Sequence, residues 1–218
     1  MPCAGIFATR SRCAMSKNCS PSAGWRRITR RSGVGCNDTV PNWNSDCGVI
    51  LRPTNKSWRV DETYIRVQGR WCYLYRAIDS TGATIDFLLS ALRDAAAAKR
   101  LFRQALSDSS HPQPRVINTD QARRYGAAIA AVKAEGTLRR RCRHRPVQYL
   151  NNILEQEHRA IKRRVKATQS FREFRAAGRT IAGYEAMHMI RKGQALWVSS
   201  DTVQQQNRFI DQLFDLAA

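Results

Sequence analysis

The chain has 218 residues, 43% of them hydrophobic, which is enough for one sizeable domain with a small appendage. Its 37 Lys and Arg residues outnumber its 17 Asp and Glu residues, giving a formal net charge of +20 at pH 7. This excess favours nucleic acid as the partner, with a merely soluble cationic protein or one that binds anionic membrane as alternatives. No segment is apolar over the length of a membrane span, and the amino terminus lacks a signal-peptide core, so we expect a cytoplasmic protein.

The first 50 residues differ in composition from the rest of the chain. They are rich in Ser, Gly, Cys and Arg, contain Asp38 and Asp46 as their only acids, and show neither the period of a strand nor that of a helix. We interpret residues 1–50 as a poorly ordered basic segment. The seven cysteines of the chain include no Cys-x-x-Cys pair, so the sequence predicts neither a zinc site nor a disulfide framework.

The remaining chain alternates between strand and helix patterns. Three β-branched and aromatic runs separated by turn residues predict a meander of strands at 58–67, 71–78 and 84–89. The elements predicted after it are a helix at 91–107, a strand at 115–118, a helix at 121–134, a strand at 137–143, and helices at 148–165 and 170–191. The sheet is therefore expected to be mixed, with a tail whose last apolar residues have helical spacing.

Three acids stand in or after apolar segments, where a carboxylate without a partner is costly: Asp61, Asp120 and Glu155. If the fourth strand lies beside the first, the two aspartates meet, and a helix crossing that edge delivers Glu155. Such oxygens suit Mg²⁺ or Mn²⁺. Two of these ions about 4 Å apart stabilise the entering and leaving oxygens of a phosphodiester, so no covalent protein nucleophile is needed.

Each of these acids also has a structural interpretation. Asp120 could be only the N-cap of the helix that follows it, and Glu155 could belong to an ordinary solvated helix. His158, one turn beyond Glu155, is interpreted as a group behind the ligands or facing DNA rather than as a ligand. Glu62 and Glu157, beside two of the proposed ligands, are expected to point elsewhere.

Two clusters of basic residues flank Glu155, and we predict that they bind DNA phosphates. They are Arg139, Arg140, Arg141, Arg143 and Arg145 before it, and Arg159, Lys162, Arg163 and Arg164 after it. Lys162 falls on the same helix face as Glu155, two turns away. Three strand aromatics, Trp58, Tyr64 and Trp71, could stack on bases, although strand aromatics more often belong to a core.

Several segments, in order, resemble bacterial DDE transposases of insertion-sequence family six. They are residues 55–64, 69–71, 73–79, 86–90, 118–120, 149–152 with Glu155 and His158, and 190–194. The resemblance covers about residues 50–194, and 34 residues separate Asp120 from Glu155, as the family's DDE signature leads one to expect.

The resemblance implies a ribonuclease H-like α/β fold, in which three antiparallel strands and then parallel strands form a mixed sheet flanked by helices. It implies that Asp61, Asp120 and Glu155 are the catalytic metal ligands, with two Mg²⁺ (or Mn²⁺) ions in the active complex, and that Lys162 is the family's basic residue after the glutamate. It further implies cleavage of double-stranded DNA at terminal inverted repeats and transfer of the 3′-hydroxyl end into target DNA by a homo-oligomer.

The predicted domains are the basic segment 1–50, a DDE catalytic (integrase-like) domain at 51–194 and a helical tail at 195–218. The first segment lacks the helix-turn-helix pattern of the family, so we expect a truncated or frame-shifted front. The predicted function is that of a transposase, either an active or a defective copy. We expect it in the cytoplasm, and at the nucleoid when it is bound to DNA. The alternatives are a metal-dependent nuclease of the same fold and a catalytically silent DNA-binding remnant.

Overall fold

The computed structural model describes residues 51–109, 111–147, 152–167, 171–196 and 198–214. The predictions for residues 1–50 and for 148–151 lie outside this part of the chain. Among the described residues, no helix combines the length and the apolarity needed to cross a membrane.

Five strands form one mixed sheet. They are β1 (Ser57–Val67), β2 (Arg70–Asp79), β3 (Thr84–Ser90), β4 (Val116–Thr119) and β5 (Arg143–Pro146). Their order across the sheet is β3-β2-β1-β4-β5; β2 is antiparallel to β1 and β3, whereas β4 is parallel to β1 and β5. The predicted fold class, a ribonuclease H-like mixed sheet flanked by helices, is confirmed.

Helices cover both faces of the sheet. They are α1 (Ala95–Ser107), α2 (Arg123–Ala134), α3 (Asn152–Ala167), α4 (Phe174–Arg191) and α5 (Val203–Phe214). The first core packs α1 and α2 on one face, and the second core packs α3 and α4 on the other. A third core joins the end of α4 to α5, with Met189 and Phe209 packed beside Leu51.

The alternation of side chains along β1 assigns each residue to a face. Trp58 and Val60 belong to the first core, whereas Ile65 and Val67 belong to the second. Because successive side chains of a strand point to opposite faces, Asp61 lies on the side of the second core. The residue after it, Glu62, lies on the side of the first.

The fifth strand begins later than the sequence predicts. The predicted range is 137–143, but β5 is Arg143–Pro146. Gly136 ends α2 with a left-handed φ of 76°, and Leu138 then packs into the first core, so the chain reaches the sheet later. At the edge of the sheet, Arg143 and Arg145 remain exposed, so β5 lacks the apolar alternation that marks a strand.

Three helices also begin later than predicted: α2 starts at Arg123 rather than residue 121, and the starts of α1 and α4 have local causes. The start of α1 is Ala95 rather than residue 91, because Asp94 accepts a hydrogen bond at 2.7 Å from a backbone N–H of the first turn. The start of α4 is Phe174 rather than residue 170. Phe171 instead lies against the sheet, where its carbonyl accepts a hydrogen bond from the Gln68 backbone N–H at 2.7 Å.

Candidate active site

The parallel pairing of β1 with β4 brings two aspartates to the same level. Arg59 is in register with Asn118, and the Asn118 Nδ2 donates a hydrogen bond to a β1 carbonyl at 3.0 Å. Asp61 and Asp120 each follow this pair by the same number of residues, so they meet where β4 ends. One carboxylate oxygen from each, together with one from Glu62, lies within 4.8 Å of the others.

The surroundings of Asp61 disfavour its negative charge. They raise the pKa of Asp61 to about 7, chiefly through burial and further through the charges of Glu62 and Asp120. A hydrogen bond from the Glu62 backbone N–H at 2.8 Å and the positive charge of Arg124 act in the opposite direction. The site would therefore gain from a bound positive ion, which lowers the cost of keeping Asp61 ionised.

Asp120 does not cap α2, contrary to the structural alternative for this residue. The N-cap is Ala122, which has no capping side chain. The Asp120 Oδ1 accepts a hydrogen bond from the Ala122 backbone N–H at 3.0 Å, which forms a turn ahead of the helix. Its Oδ2 accepts one from Arg124 at 3.2 Å. Asp120 therefore shapes the turn and still presents a carboxylate to Asp61.

Glu62 belongs to the cluster, contrary to the expectation that it points elsewhere. Its side chain is only 3% exposed and forms an ion pair with Arg93 at 2.6 Å. Arg124 and Tyr125, at the start of α2, also donate hydrogen bonds to its carboxylate. The alternation of β1 correctly separates Glu62 from Asp61 by face, but it does not reveal that these donors hold Glu62 beside the site.

Glu155 lies in the first turn of α3 and its side chain is exposed. The structure does not bring its carboxylate into the group formed by Asp61, Glu62 and Asp120. Downstream, α3 packs against the sheet through Ile161 and Val165 in the second core. The helix that carries Glu155 is therefore fixed beside β1.

His158 faces the interior of the protein. It is 6% exposed, and burial, followed by the charges of Arg76 and Lys162, lowers the pKa of His158 to about 3. The imidazole is therefore neutral at physiological pH. The suggestion that His158 faces DNA is wrong, because its side chain is buried on the inner side of α3.

The predicted phosphate-binding residues lie at the surface. Arg139, Arg140, Arg141, Arg143, Arg145, Arg159 and Arg163 are exposed, whereas Lys162 and Arg164 are half-buried. The three strand aromatics considered for base stacking differ in exposure. Trp58 is 1% exposed and belongs to the first core, so the suggestion that it stacks on bases is wrong. Tyr64 and Trp71 are 54% and 52% exposed.

The donor set of the site fits a hard divalent cation. Asp61 and Asp120 supply adjacent carboxylate oxygens, which such ions prefer. The charge of Glu62 is balanced by Arg93 and Arg124, whereas the raised pKa of Asp61 marks a carboxylate whose charge is under-compensated. The acidic cluster is therefore consistent with the use of a divalent metal.

Comparison with known families agrees with this architecture. Residues 55–194 match a family described as a DDE domain. The chain belongs to the DDE transposases of insertion-sequence family six, as the resemblance in its sequence implies. It is thus a member of a polynucleotidyl transferase family.

Individual relatives support this membership. The transposase for the insertion sequence-like element IS431mec of Staphylococcus aureus (strain Mu50) is 37% identical over 174 residues, covering 76% of this chain and 75% of the relative. The transposase for insertion sequence element IS257 in transposon Tn4003 of Staphylococcus aureus gives the same identity and coverage. An uncharacterised protein of Yersinia pseudotuberculosis, pYV0051, is 42% identical over 90 residues, covering 41% of this chain and 84% of the relative.

Two solved structures with partial similarity to this chain are retroviral integration proteins. The catalytic core domain of HTLV-2 integrase, in complex with magnesium, has a TM-score of 0.42 and 18% identity over 53% of this chain and 73% of that chain. A simian T-cell lymphotropic virus intasome in complex with a PP2A regulatory subunit has a TM-score of 0.45 and 14% identity over 63% of this chain and 50% of that chain.

Proposed function

We propose that this transposase cleaves DNA strands and transfers 3′ ends at the inverted repeats of an insertion sequence, with Asp61, Asp120 and Glu155 binding Mg²⁺ or Mn²⁺. The observation that carries the proposal is the meeting of Asp61 and Asp120, from different strands, at one edge of the sheet. When bound, two divalent ions stabilise the entering and leaving oxygens of the phosphodiester. The catalytic domain spans residues 51–194.

The direction of α3 supports Glu155 as the third ligand. The Lys162 Nζ lies 3.9 Å from the centroid of the Tyr64 ring, and the Phe171 carbonyl bonds to Gln68, just past the end of β1. From Lys162 to Phe171 the chain therefore runs in the same sense as β1. From Lys162 back to Glu155, seven residues of helix span about 10 Å. From Tyr64 back to Asp61, three residues of strand span about the same distance. Glu155 is thereby expected at the level of Asp61.

Glu62 has a different role in this proposal. Its carboxylate holds the side chains of Arg93 and Arg124, and Arg124 in turn bonds to Asp120. This chain of contacts fixes the start of α2 against β1. Glu62 therefore positions Asp120, whereas Asp61 and Asp120 keep the oxygens that face the reacting strand.

The proposed partners are double-stranded DNA at terminal inverted repeats and at the target, bound by a homo-oligomer at the nucleoid. The support is the exposed basic surface on both sides of the site: the arginines of β5 and of the turn before it, and those of α3. Contacts of this kind bind phosphates in any sequence. They fix the strand near the carboxylates without selecting the repeat.

Joining of a pre-cleaved end tests the proposal. The chain is incubated with Mn²⁺, a labelled duplex ending in a 3′-hydroxyl and a supercoiled plasmid target, and joined products are resolved on a gel. Asp61→Asn, Asp120→Asn and Glu155→Gln are each expected to lower the joining rate about 10³-fold, since a lost ligand removes several kcal/mol of transition-state stabilisation. The matched control Glu173→Gln changes an exposed glutamate at the start of α4 and should join normally.

Each contrary result has a defined meaning. Normal joining by Glu155→Gln would remove Glu155 from the proposed site. Nicking of the plasmid without joining would instead identify a metal-dependent nuclease. Binding of DNA with neither reaction would identify a silent remnant.

A further inference from the structure

The hairpin formed by β1 and β2 extends beyond the residues that α1 and α2 cover. Its two-residue turn, Gln68 and Gly69, has positive φ at both positions, 51° and 73°, which is the backbone of a type I′ turn. On the face of the first core, the extension carries Tyr64 and Arg66 from β1 and Trp71 from β2, with Arg66 directly opposite Trp71. We call these three residues and Lys162 the hairpin patch.

Two aromatic rings of the hairpin patch are open to solvent. Tyr64 is 54% exposed and Trp71 is 52% exposed, and their ring centroids lie 5.1 Å apart with an interplanar angle of 89°. This edge-to-face contact holds each ring in place through the other. An exposed aromatic pair is unusual on two strands whose other aromatics include Trp58 and Tyr75, both buried in the first core. Packing of the fold therefore does not account for it.

Cations surround the two rings. The Arg66 guanidinium lies 5.1 Å from the centroid of the Trp71 ring, and the Lys162 ammonium lies 3.9 Å from that of Tyr64. Bases stack on aromatic faces whatever their sequence, while cations next to them pair with the phosphates. A protein interface is also enriched in Tyr, Trp and Arg, but it is depleted of Lys, which this patch contains as Lys162 on the Tyr64 ring. Aromatics and cations together match a nucleic acid strand.

The hairpin patch lies along β1 from the acidic cluster, on the opposite face of the sheet from Asp61, and Lys162 of α3 reaches its Tyr64 ring. Tyr64 follows Asp61 on β1 by about 10 Å of strand. We propose that the hairpin patch binds unpaired DNA, with one or two bases stacked on Trp71 and Tyr64 and their phosphates held by Arg66 and Lys162. The DNA must be unpaired because duplex bases are not free to stack on a protein ring. The inference rests on the proposed function only in placing this DNA near the reacting end.

Binding of single strands against duplex tests this proposal. Fluorescence anisotropy of the full chain is measured with a labelled 15-nucleotide oligothymidine and with a blunt duplex of equal length. Trp71→Ala is expected to weaken oligothymidine binding about tenfold, the loss typical of one stacked base, and to leave duplex binding within about twofold. Trp71→Phe keeps a ring and should retain most of the affinity. Leu92→Ala, at a residue 65% exposed, is the matched control and should bind both probes normally.

Several outcomes would overturn the proposal. One is an unchanged oligothymidine affinity in Trp71→Ala, with the thermal unfolding midpoint confirming a folded protein. Another is an equal loss for oligothymidine and duplex. A third is a change of oligomeric state in sedimentation with no change in binding, which would make the patch a subunit contact. The joining assay separates the two proposals. If the wild-type chain cannot join ends but Trp71→Ala still loses single-strand binding, the patch is supported and the proposed transposition chemistry is wrong.

Discussion

Glu62 is an acid at the site whose charge already has protein partners. Two arginines and the hydroxyl of Tyr125 bond to its carboxylate, which is nearly inaccessible to solvent. Asp61 lacks such compensation, and its pKa is raised to about 7. At the scale of single residues, the two neighbouring carboxylates thus differ: Glu62 stabilises the fold, whereas the charge of Asp61 would be stabilised by a bound cation.

Glu62→Gln is expected to destabilise the protein while preserving the response to metal. Loss of the buried charge leaves Arg124 short of a partner, so the free energy of unfolding should fall by about 3 kcal/mol. The rise of the thermal midpoint on titration with Mn²⁺ should match that of the wild type, because Asp61 and Asp120 remain and the glutamine oxygen can still accept the hydrogen bond from Arg124 that positions Asp120. Thermal unfolding with and without Mn²⁺ measures both quantities.

A second glutamate provides the control for this change. Glu135 bonds to Arg103 and Lys99 at the surface, where solvent screens the ion pairs, so Glu135→Gln should unfold almost as the wild type does. If Glu62→Gln abolishes the Mn²⁺ response, Glu62 binds the metal itself. The structural role assigned to Glu62 would then be wrong.

The sequence predicts part of this site for a clear reason. Asp61 and Asp120 stand in or next to apolar strands, where a charge is conspicuous. The role of Glu62 depends on Arg93 and Arg124, which are distant along the chain and meet Glu62 only in the fold. The role of an acidic residue near the site therefore depends on tertiary contacts, which a local sequence pattern does not show.

At the scale of elements, a buried ion pair connects β2 to α4. Arg76 and Glu185 are 0% and 1% exposed in their side chains, and the Arg76 Nε lies 2.8 Å from a Glu185 oxygen. Arg76 is the cross-strand partner of Asp61 in the β1–β2 register. Contact with α4 therefore holds the strand that lies directly beside Asp61, which we propose as a metal ligand.

Removing one partner of this pair should cost more than removing both. Glu185→Met removes the buried carboxylate that pairs with the Arg76 guanidinium, and the free energy of unfolding should fall by about 3–5 kcal/mol. The double variant Arg76→Met with Glu185→Met is expected to recover most of that loss, because two apolar side chains of similar length fill the space. Urea unfolding of the wild type, the single variants and the double variant measures the coupling. Additive losses would show that the two side chains act separately.

Asp86 gives the contact between β3 and α1 a pH dependence. Its Oδ1 accepts hydrogen bonds from the Gln104 side chain at 3.0 Å and from the Phe87 backbone N–H at 2.8 Å. Burial, above all, raises the pKa of Asp86 to about 7 from its usual 3.8. The folded protein therefore binds a proton that the unfolded chain releases, and this contribution to stability is lost as the pH rises through about 7.

Asp86→Asn, which imitates the protonated carboxyl, should consequently be more stable than the wild type at high pH. Its advantage in free energy of unfolding should grow from pH 5 to pH 7 and level off above pH 7, because the wild type is then ionised in both states. Urea midpoints at pH 5, 6, 7 and 8 provide the measurement. Asp201→Asn, at an exposed residue, should show no such trend. A constant difference for Asp86→Asn would contradict the raised pKa.

Elements with regular patterns are predictable, and those defined by their neighbours are not. The three strands of the meander follow from their alternation and turns, and the structure confirms them. The β5 strand escapes prediction because its exposed arginines show no apolar face, and it is a strand only through its pairing with β4. The late start of α4 likewise depends on the contact between Phe171 and the end of β1.

At the scale of the whole molecule, the net charge of +20 matters through its distribution. Exposed arginines lie on β5 and in the turn before it, next to the strand that ends just before Asp120, and others follow Glu155 on α3. Both groups flank the carboxylates. In the proposed complex, a phosphate backbone drawn to these arginines is brought to the acidic cluster, whose own charge would otherwise repel it.

The salt dependence of binding tests whether β5 makes these contacts. Arg143→Gln with Arg145→Gln should reduce the steepness of log Kobs against log salt concentration by about 1.8, since each lost duplex phosphate contact contributes about 0.9. Arg52→Gln with Arg208→Gln makes the same change of charge near the third core and should keep the wild-type slope while lowering affinity slightly at low salt. Equal slopes for the two double variants would mean that DNA senses only the total charge. A reduced slope in the β5 variant alone would mean that the edge of the sheet beside Asp120 holds the backbone, so that the strand pairing which assembles the carboxylates also aligns their substrate.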